Sequence, residues 1–185
     1  MSRALSNICV YCGSSPGARP AYLQAARQLG EALARQGKQL IYGGGHVGLM
    51  GAVADAVLAG GGRVTGVIPR MLVERELGHT GVTELHVVRD MHERKHMMAS
   101  LADAFIALPG GWGTLEELTE MVTWNQLGLH RKPIGVVNVA GYYDLFLQFA
   151  DRMVDEQFVK AKHRALLCTD SDPERLLGLL GSRTL

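Results

Sequence analysis

Along nearly the whole chain, short apolar runs rich in β-branched residues alternate with segments of helical period. This alternation constrains the fold more than any other feature. The runs fall at 8–12, 39–42, 63–68, 85–88, 104–108 and 134–139, with a shorter one at 166–169. Several are apolar on both faces, as expected of strands covered by helices on both sides of a sheet. Helical segments lie between them at 21–36, 48–59, 91–100, 114–127 and 143–156. In the first, Tyr22, Ala26, Leu29 and Leu33 recur at spacings of three and four, and Gly37 supplies a stop. A last helix opens with Asp172 as cap and Pro173 at its first position. No repeat, low-complexity tract or linker divides the chain, so the expectation is one α/β domain over 1–185. Its core would be a Rossmann-like, doubly wound parallel sheet of six to seven strands with helices on both faces, and such sheets bind ligands at the carboxyl ends of their strands.

Composition narrows the ligand. The 185 residues are 47% hydrophobic with a formal net charge of +1, and Lys and Arg are interspersed with Asp and Glu. With no basic stripe, no nucleic-acid or membrane partner is expected, and the bound molecule should be small. No apolar run reaches the roughly 18 residues of a membrane helix, and residues 1–5 lead directly into a strand, so a cytoplasmic protein is expected. The three cysteines fit that compartment. Cys9-x-x-Cys12 lies inside a strand, where positions i and i+3 face opposite sides, so both read as thiols rather than a redox pair.

Three strand-end loops are rich in small residues: Gly13-Ser14-Ser15-Pro16-Gly17, Gly43-Gly44-Gly45-His46-Val47-Gly48 and Pro109-Gly110-Gly111-Trp112-Gly113. In a parallel sheet all three open on one edge and can wall one pocket. The third runs into Thr114-Leu115-Glu116-Glu117, where residues without Cβ and the free N–H groups of a helix's first turn suit a phosphate. Thr114-x-x-Glu117 also fits a capping box, which on this segment alone is the simpler reading. Gly43-x-Gly45-x-x-Gly48 matches the dinucleotide fingerprint formally, but it follows the second strand, and the next strand ends in Val67-Ile68-Pro69 where an acid should hold a ribose. His92-Glu93-Arg94-Lys95-His96 matches H-E-x-x-H, yet two cations between the histidines would repel Zn²⁺ and no third ligand follows at a typical spacing. Arg94 and Lys95 nevertheless fall early on a helix at the ligand edge, where a guanidinium can hold a phosphate or sugar hydroxyl in fixed geometry.

Gly13-Ser14-Ser15, Tyr42-Gly43-Gly44-Gly45 with Gly48-Leu49-Met50-Gly51, Asp90-Met91-His92-x-Arg94-Lys95, and Pro109-Gly110-Gly111-x-Gly113-Thr114-x-x-Glu117 together resemble the Lonely Guy family. Its members are cytokinin riboside 5′-monophosphate phosphoribohydrolases, often labelled lysine decarboxylases. The resemblance spans roughly 8–168 and implies hydrolysis of the N-glycosidic bond between an adenine, plain or N6-modified, and ribose 5′-phosphate. It places Arg94 and Glu117 at the catalytic positions. Lys95, Gly111, Gly113, Thr114, Glu76 and Thr123 fall at nucleotide-contacting ones, and Ser14, Gly44, Gly45 and Gly110 of the small-residue loops complete the substrate-binding set. Trp112 stands where many members carry Tyr. The decarboxylase label finds no lysine in a recognisable Schiff-base setting.

The chemistry is coherent without the family. Cleaving the bond builds oxocarbenium character on the ribose, which a carboxylate at Glu117 can stabilise while it orients or deprotonates water; no metal or cofactor is required. On a helical wheel Glu117 flanks a stripe of Leu115, Leu118 and Val122, at the edge of the pocket. Thr123 sits more than about 100° away, so its contact would come from the partner subunit of a homodimer, the assembly the resemblance implies. The other reading is a non-catalytic nucleotide carrier resembling molybdenum-cofactor carriers, for which a carboxylate at C1′ would have no use.

Overall fold

Strands β1 (Asn7–Tyr11), β2 (Gln39–Tyr42), β3 (Val64–Pro69), β4 (Glu84–Val88), β5 (Ala104–Ala107), β6 (Ile134–Val137) and β7 (Leu167–Asp170) pair in parallel, in the order β4-β3-β2-β1-β5-β6-β7. The structure is a computed structural model and describes residues 5–75 and 77–183. The helices are α1 (Pro20–Arg35), α2 (Gly48–Ala59), α3 (Arg70–Val73), α4 (Met91–Leu101), α5 (Trp112–Gln126), α6 (Asp144–Asp155), α7 (Ala161–Arg164) and α8 (Pro173–Ser182). All seven strands and the six longer helices match the sequence pattern; the four-residue α3 and α7 are too short to carry a period. No helix among the described residues is long and apolar enough to cross a membrane.

The inner strands β1, β3, β5 and β6 have no polar face because alternate residues feed two separate cores, whereas the edge strands β4 and β7 carry exposed residues. Ile8 and Val10 of β1 join the cluster under α1, α2 and α8, whereas Cys9 and Tyr11 join the cluster under α4 and α5. Cys9 and Cys12 accordingly enter opposite clusters, and both are buried free thiols.

The chain runs outward from β1 to β4, then α4 carries it back to β5 on the other side of β1. The loops after β1 and β5 therefore meet at the switch point, where the Gly13 N–H donates to the Pro109 carbonyl at 3.0 Å.

The start of α5 differs from the sequence reading, whereas α4 starts at Met91 as expected. α5 begins at Trp112 with Gly111 as its N-cap and no side-chain cap, so Thr114 is third and Glu117 sixth in the helix. The capping-box reading fails, since a cap reaches only the first three N–H groups. A similar arrangement, reaching one residue further back, occurs instead at α4, where Asp90 accepts from the Glu93 N–H at 2.9 Å and Glu93 accepts from the Arg89 N–H at 2.8 Å. The Glu of the H-E-x-x-H match is thus a helix-start residue, and His92 and His96 are exposed.

Candidate active site

Glycines of the strand-end loops fall into two groups. A Cβ on Gly43 would lie 1.8 Å from Nη2 of Arg94, and one on Gly110 would lie 2.1 Å from Oγ1 of Thr114 and 2.9 Å from the Gly13 nitrogen. One on Gly48, whose φ is +60°, would lie 2.3 Å from the Ser14 carbonyl carbon. The fold itself requires these. Around Gly111 and Gly113, by contrast, a Cβ would meet no protein atom within 4 Å, and neither residue has a positive φ. Gly113 even sits in the first turn of α5, where glycine costs about 1 kcal/mol relative to alanine in a helix interior and less near an end. The empty space beside both glycines adjoins the unpaired N–H groups of the helix start, the arrangement of an anion site.

Arg94 reaches this space from α4. Its Nε donates to the Val67 carbonyl and its Nη2 to the Gly43 carbonyl, both at 3.2 Å, so the ends of β3 and β2 fix the guanidinium plane. The remaining Nη1 stands 3.6 Å from Oε1 of Glu117, within ion-pair range but beyond a good hydrogen bond. Both side chains are buried, each residue being 8% exposed. Burial pushes the Glu117 carboxyl up to about 7; Arg94 pulls the other way, and Glu116 adds to the rise. Glu117 is therefore a buried acid poised to exchange a proton near neutrality, facing the Arg94 guanidinium. It lies in the buried stripe of Thr114, Leu118 and Met121, whereas Leu115 and Val122 are only partly buried. This corrects the wheel-based expectation, because the face of α5 that packs on the sheet is rotated towards Glu117.

These groups line one cavity of about 390 Å³ at the carboxyl edge of the sheet. Ser14, Gly45, Arg94, Gly111, Gly113, Thr114 and Glu117 all border it. Gly110 instead borders an adjoining cavity of about 310 Å³ that shares Gly13, Ser14 and Gly111 with the first. Gly44 borders neither; with φ at +75° it turns the chain under the site. Lys95 faces α5, where its ammonium is ion-paired with Glu116 and lies 3.1 Å from Oε1 of Glu120. Burial lowers its pKa, but the bonds to the two carboxylates outweigh that and raise it overall, keeping the ammonium charged. Thr123 lines a separate cavity of about 210 Å³ between α5, α6 and α7. Glu76 lies outside the described residues. Sequence reasoning missed the apolar wall formed by Ile68, Leu72, Leu77 and Met91. Leu72 and Leu77 reach it because the stretch after β3 folds back over the second glycine loop, Gly78 bridging Gly45. Trp112, 89% exposed, stands at the rim.

Fold and site together define a Rossmann-like α/β protein with a buried acid–guanidinium pair beside an open helix N-terminus. A family model described as "Possible lysine decarboxylase" matches residues 50–180. The cytokinin riboside 5′-monophosphate phosphoribohydrolase LOG7 of Arabidopsis thaliana is 52% identical over 170 residues, covering 92% of this chain and 78% of that protein. The enzyme of the same name from Oryza sativa subsp. japonica, LOG, is 54% identical over 160 residues, covering 86% of this chain and 66% of that one. The chain belongs to this Lonely Guy (LOG) family. Among solved structures, a molybdenum cofactor binding protein from Rippkaea orientalis superimposes with a TM-score of 0.71 at 25% identity, over 98% of both chains. The molybdenum cofactor carrier protein of Chlamydomonas reinhardtii has a TM-score of 0.72 at 18% identity, covering 97% of this chain and 98% of that one, and shares the fold alone.

Proposed function

We propose that this protein hydrolyses the N-glycosidic bond of N6-modified adenosine 5′-monophosphates, releasing the free base and ribose 5-phosphate. The observation that carries this reading is the buried Arg94–Glu117 pair set within one cavity beside the open glycines of the α5 start. The phosphate sits on the first-turn N–H groups of α5, which places the ribose towards Glu117. As the C1′–N9 bond breaks, its electron pair leaves with the base, and positive charge grows on C1′ and the ring oxygen. Ionised Glu117 stabilises that charge and takes a proton from the water whose oxygen bonds to C1′; a proton passes to the departing adenine anion, giving the free base, and Glu117 is ionised again. Arg94, held in plane by two carbonyls, orients the sugar hydroxyls or the departing base. The fold of the carrier proteins offers an alternative, but Glu117 favours catalysis, because a carboxylate beside an anion site weakens simple anion binding. Nor does the decarboxylase label suit Lys95, whose ammonium is held charged by two carboxylates rather than freed for a Schiff base.

The active unit is a homodimer. α6 has no fully buried residue, and Leu145, Phe149 and, beyond its end, Phe158 are exposed, as is Leu127 at the end of α5. Thr123 shares a cavity with Phe146, Ala150 and Met153 of α6, away from Glu117, so a Thr123 contact to nucleotide would come from across the dimer.

The test is chromatography of the released base from the 5′-monophosphate and from the corresponding riboside. Far faster release from the monophosphate is expected; equal rates would remove the phosphate anchor, and tight nucleotide binding without turnover would favour the carrier.

A further inference from the structure

Carbonyl oxygens lining an anion site would repel its ligand, so the loop between β5 and α5 must turn them away. Each is taken by a donor. The Tyr143 hydroxyl donates to the Leu108 carbonyl at 2.7 Å, the Gly13 N–H to Pro109 at 3.0 Å, the Tyr142 hydroxyl to Gly110 at 2.5 Å, and the Leu115 N–H to Gly111 at 3.1 Å. The amides of Gly110 and Gly111 make no hydrogen bond to the described residues. Two of the four donors are hydroxyls of adjacent tyrosines on the turn between β6 and α6, outside the motifs that carry the site.

That turn is itself braced. Asn138 accepts from the Tyr143 N–H at 2.7 Å and donates from Nδ2 to Asp144 at 2.7 Å. Ala140 holds φ at 53°, an uncommon conformation for a residue with a Cβ, and Arg19 donates to its carbonyl at 3.2 Å. The Tyr142 ring packs edge-on against Tyr22 and Tyr143, at centroid distances of 5.5 and 5.1 Å. Tyr143 is fully buried, and burial drives its phenol well above the ordinary value, so it stays a donor throughout the accessible pH range.

We infer that Tyr142 and Tyr143 are positioning residues for the phosphate loop, setting its peptide planes so that amides and not carbonyls face the substrate phosphate. The Gly110–Gly111 peptide has no Cβ on either side, and nothing in those two residues resists its rotation. Carbonyl and amide of a trans peptide point in opposite directions, so a Gly110 oxygen drawn to Tyr142 turns the Gly111 N–H the other way. The inference rests on the proposed nucleotide reading, since it assumes that a phosphate occupies the α5 start.

Tyr142→Phe tests it, because the ring contacts remain and only the hydroxyl goes. Loss of one neutral hydrogen bond should raise KM for the 5′-monophosphate roughly five- to tenfold with kcat changed less than twofold. The inhibition constant of inorganic phosphate should rise by a similar factor, while kcat/KM for the riboside stays within twofold. Tyr142→Phe/Tyr143→Phe should compound the loss of preference for the monophosphate. The inference is overturned if Tyr142→Phe retains the parental ratio of monophosphate to riboside hydrolysis and the parental phosphate inhibition, or if both substrates lose kcat equally, the mark of a structural role. A parental enzyme that does not discriminate between the two substrates would remove the nucleotide reading, and this inference with it.

Discussion

Glu117→Gln separates the electrostatics of the site from its packing. The side chain is nearly isosteric, so the substitution removes a titratable proton and little else. Glu117 has its pKa raised from 4.5 to about 7 in the folded protein. Between those values the folded state holds a proton that the unfolded chain has released, so stability falls as pH rises across that window. Above it the ionised carboxylate costs on the order of 3 kcal/mol, with the attraction of Arg94 already included. At pH 5 the same linkage amounts to less than about 1 kcal/mol.

Glutamine carries no such cost. The variant should therefore melt higher than the parent at pH 8, by roughly 5–10 °C for a domain of this size, and within a few degrees of it at pH 5. Thermal unfolding followed by circular dichroism at the two pH values measures this directly. Turnover at pH 8 should fall by about two to four orders of magnitude, since the amide neither balances the oxocarbenium charge nor accepts a proton. A melting difference that does not change with pH, or a parent that is the more stable protein at pH 8, would refute the buried-acid argument. Near-parental turnover would refute the catalytic role.

Because Glu117 acts ionised, kcat/KM should decline as pH falls through about 7, and a pH–rate profile on the monophosphate reads that limb. Arg94→Lys keeps a charge but cannot hold the Val67 and Gly43 carbonyls while facing Glu117, so kcat should drop at least about a hundredfold by steady-state assay. Phe149→Glu places a charge on the exposed apolar face of α6 and should give a monomer by sedimentation. Gly113→Ala should leave the melting temperature unchanged or slightly higher while raising KM for the monophosphate at least about tenfold; Gly111→Ala, at the N-cap, should raise KM likewise with a small loss of stability, and Gly110→Ala should lower the melting temperature by several degrees.

The sheet was legible because a parallel strand buried on both faces announces itself as a continuous apolar run, and β1 shows why: successive residues enter two different cores. The strand-end loops followed from topology alone. Less legible was anything set by long-range contact. Leu72 and Leu77 reach the cavity only because the stretch after β3 folds back over Gly45, and Tyr142 and Tyr143 reach the β5 loop from more than thirty residues away. Lys95 shows the same limit, since adjacency to Arg94 suggested a ligand contact, whereas one step of 100° around α4 turns it onto Glu116 and Glu120.

Glycine marks the boundary most sharply. In the sequence Gly110, Gly111 and Gly113 are one motif with one apparent purpose. In the structure Gly110 is fixed by Thr114 and Gly13, and any side chain there would displace the helix that carries Glu117. A Cβ on Gly111 or Gly113 would touch nothing, and at Gly113, inside the first turn rather than at the N-cap, the protein alone gives no reason to lack a side chain. A residue that the fold leaves free, at a helix position where alanine would be more favourable, points to a requirement imposed from outside the chain. Space kept open beside unpaired amides, and facing a buried acid, fits a phosphorylated sugar better than any role internal to the fold.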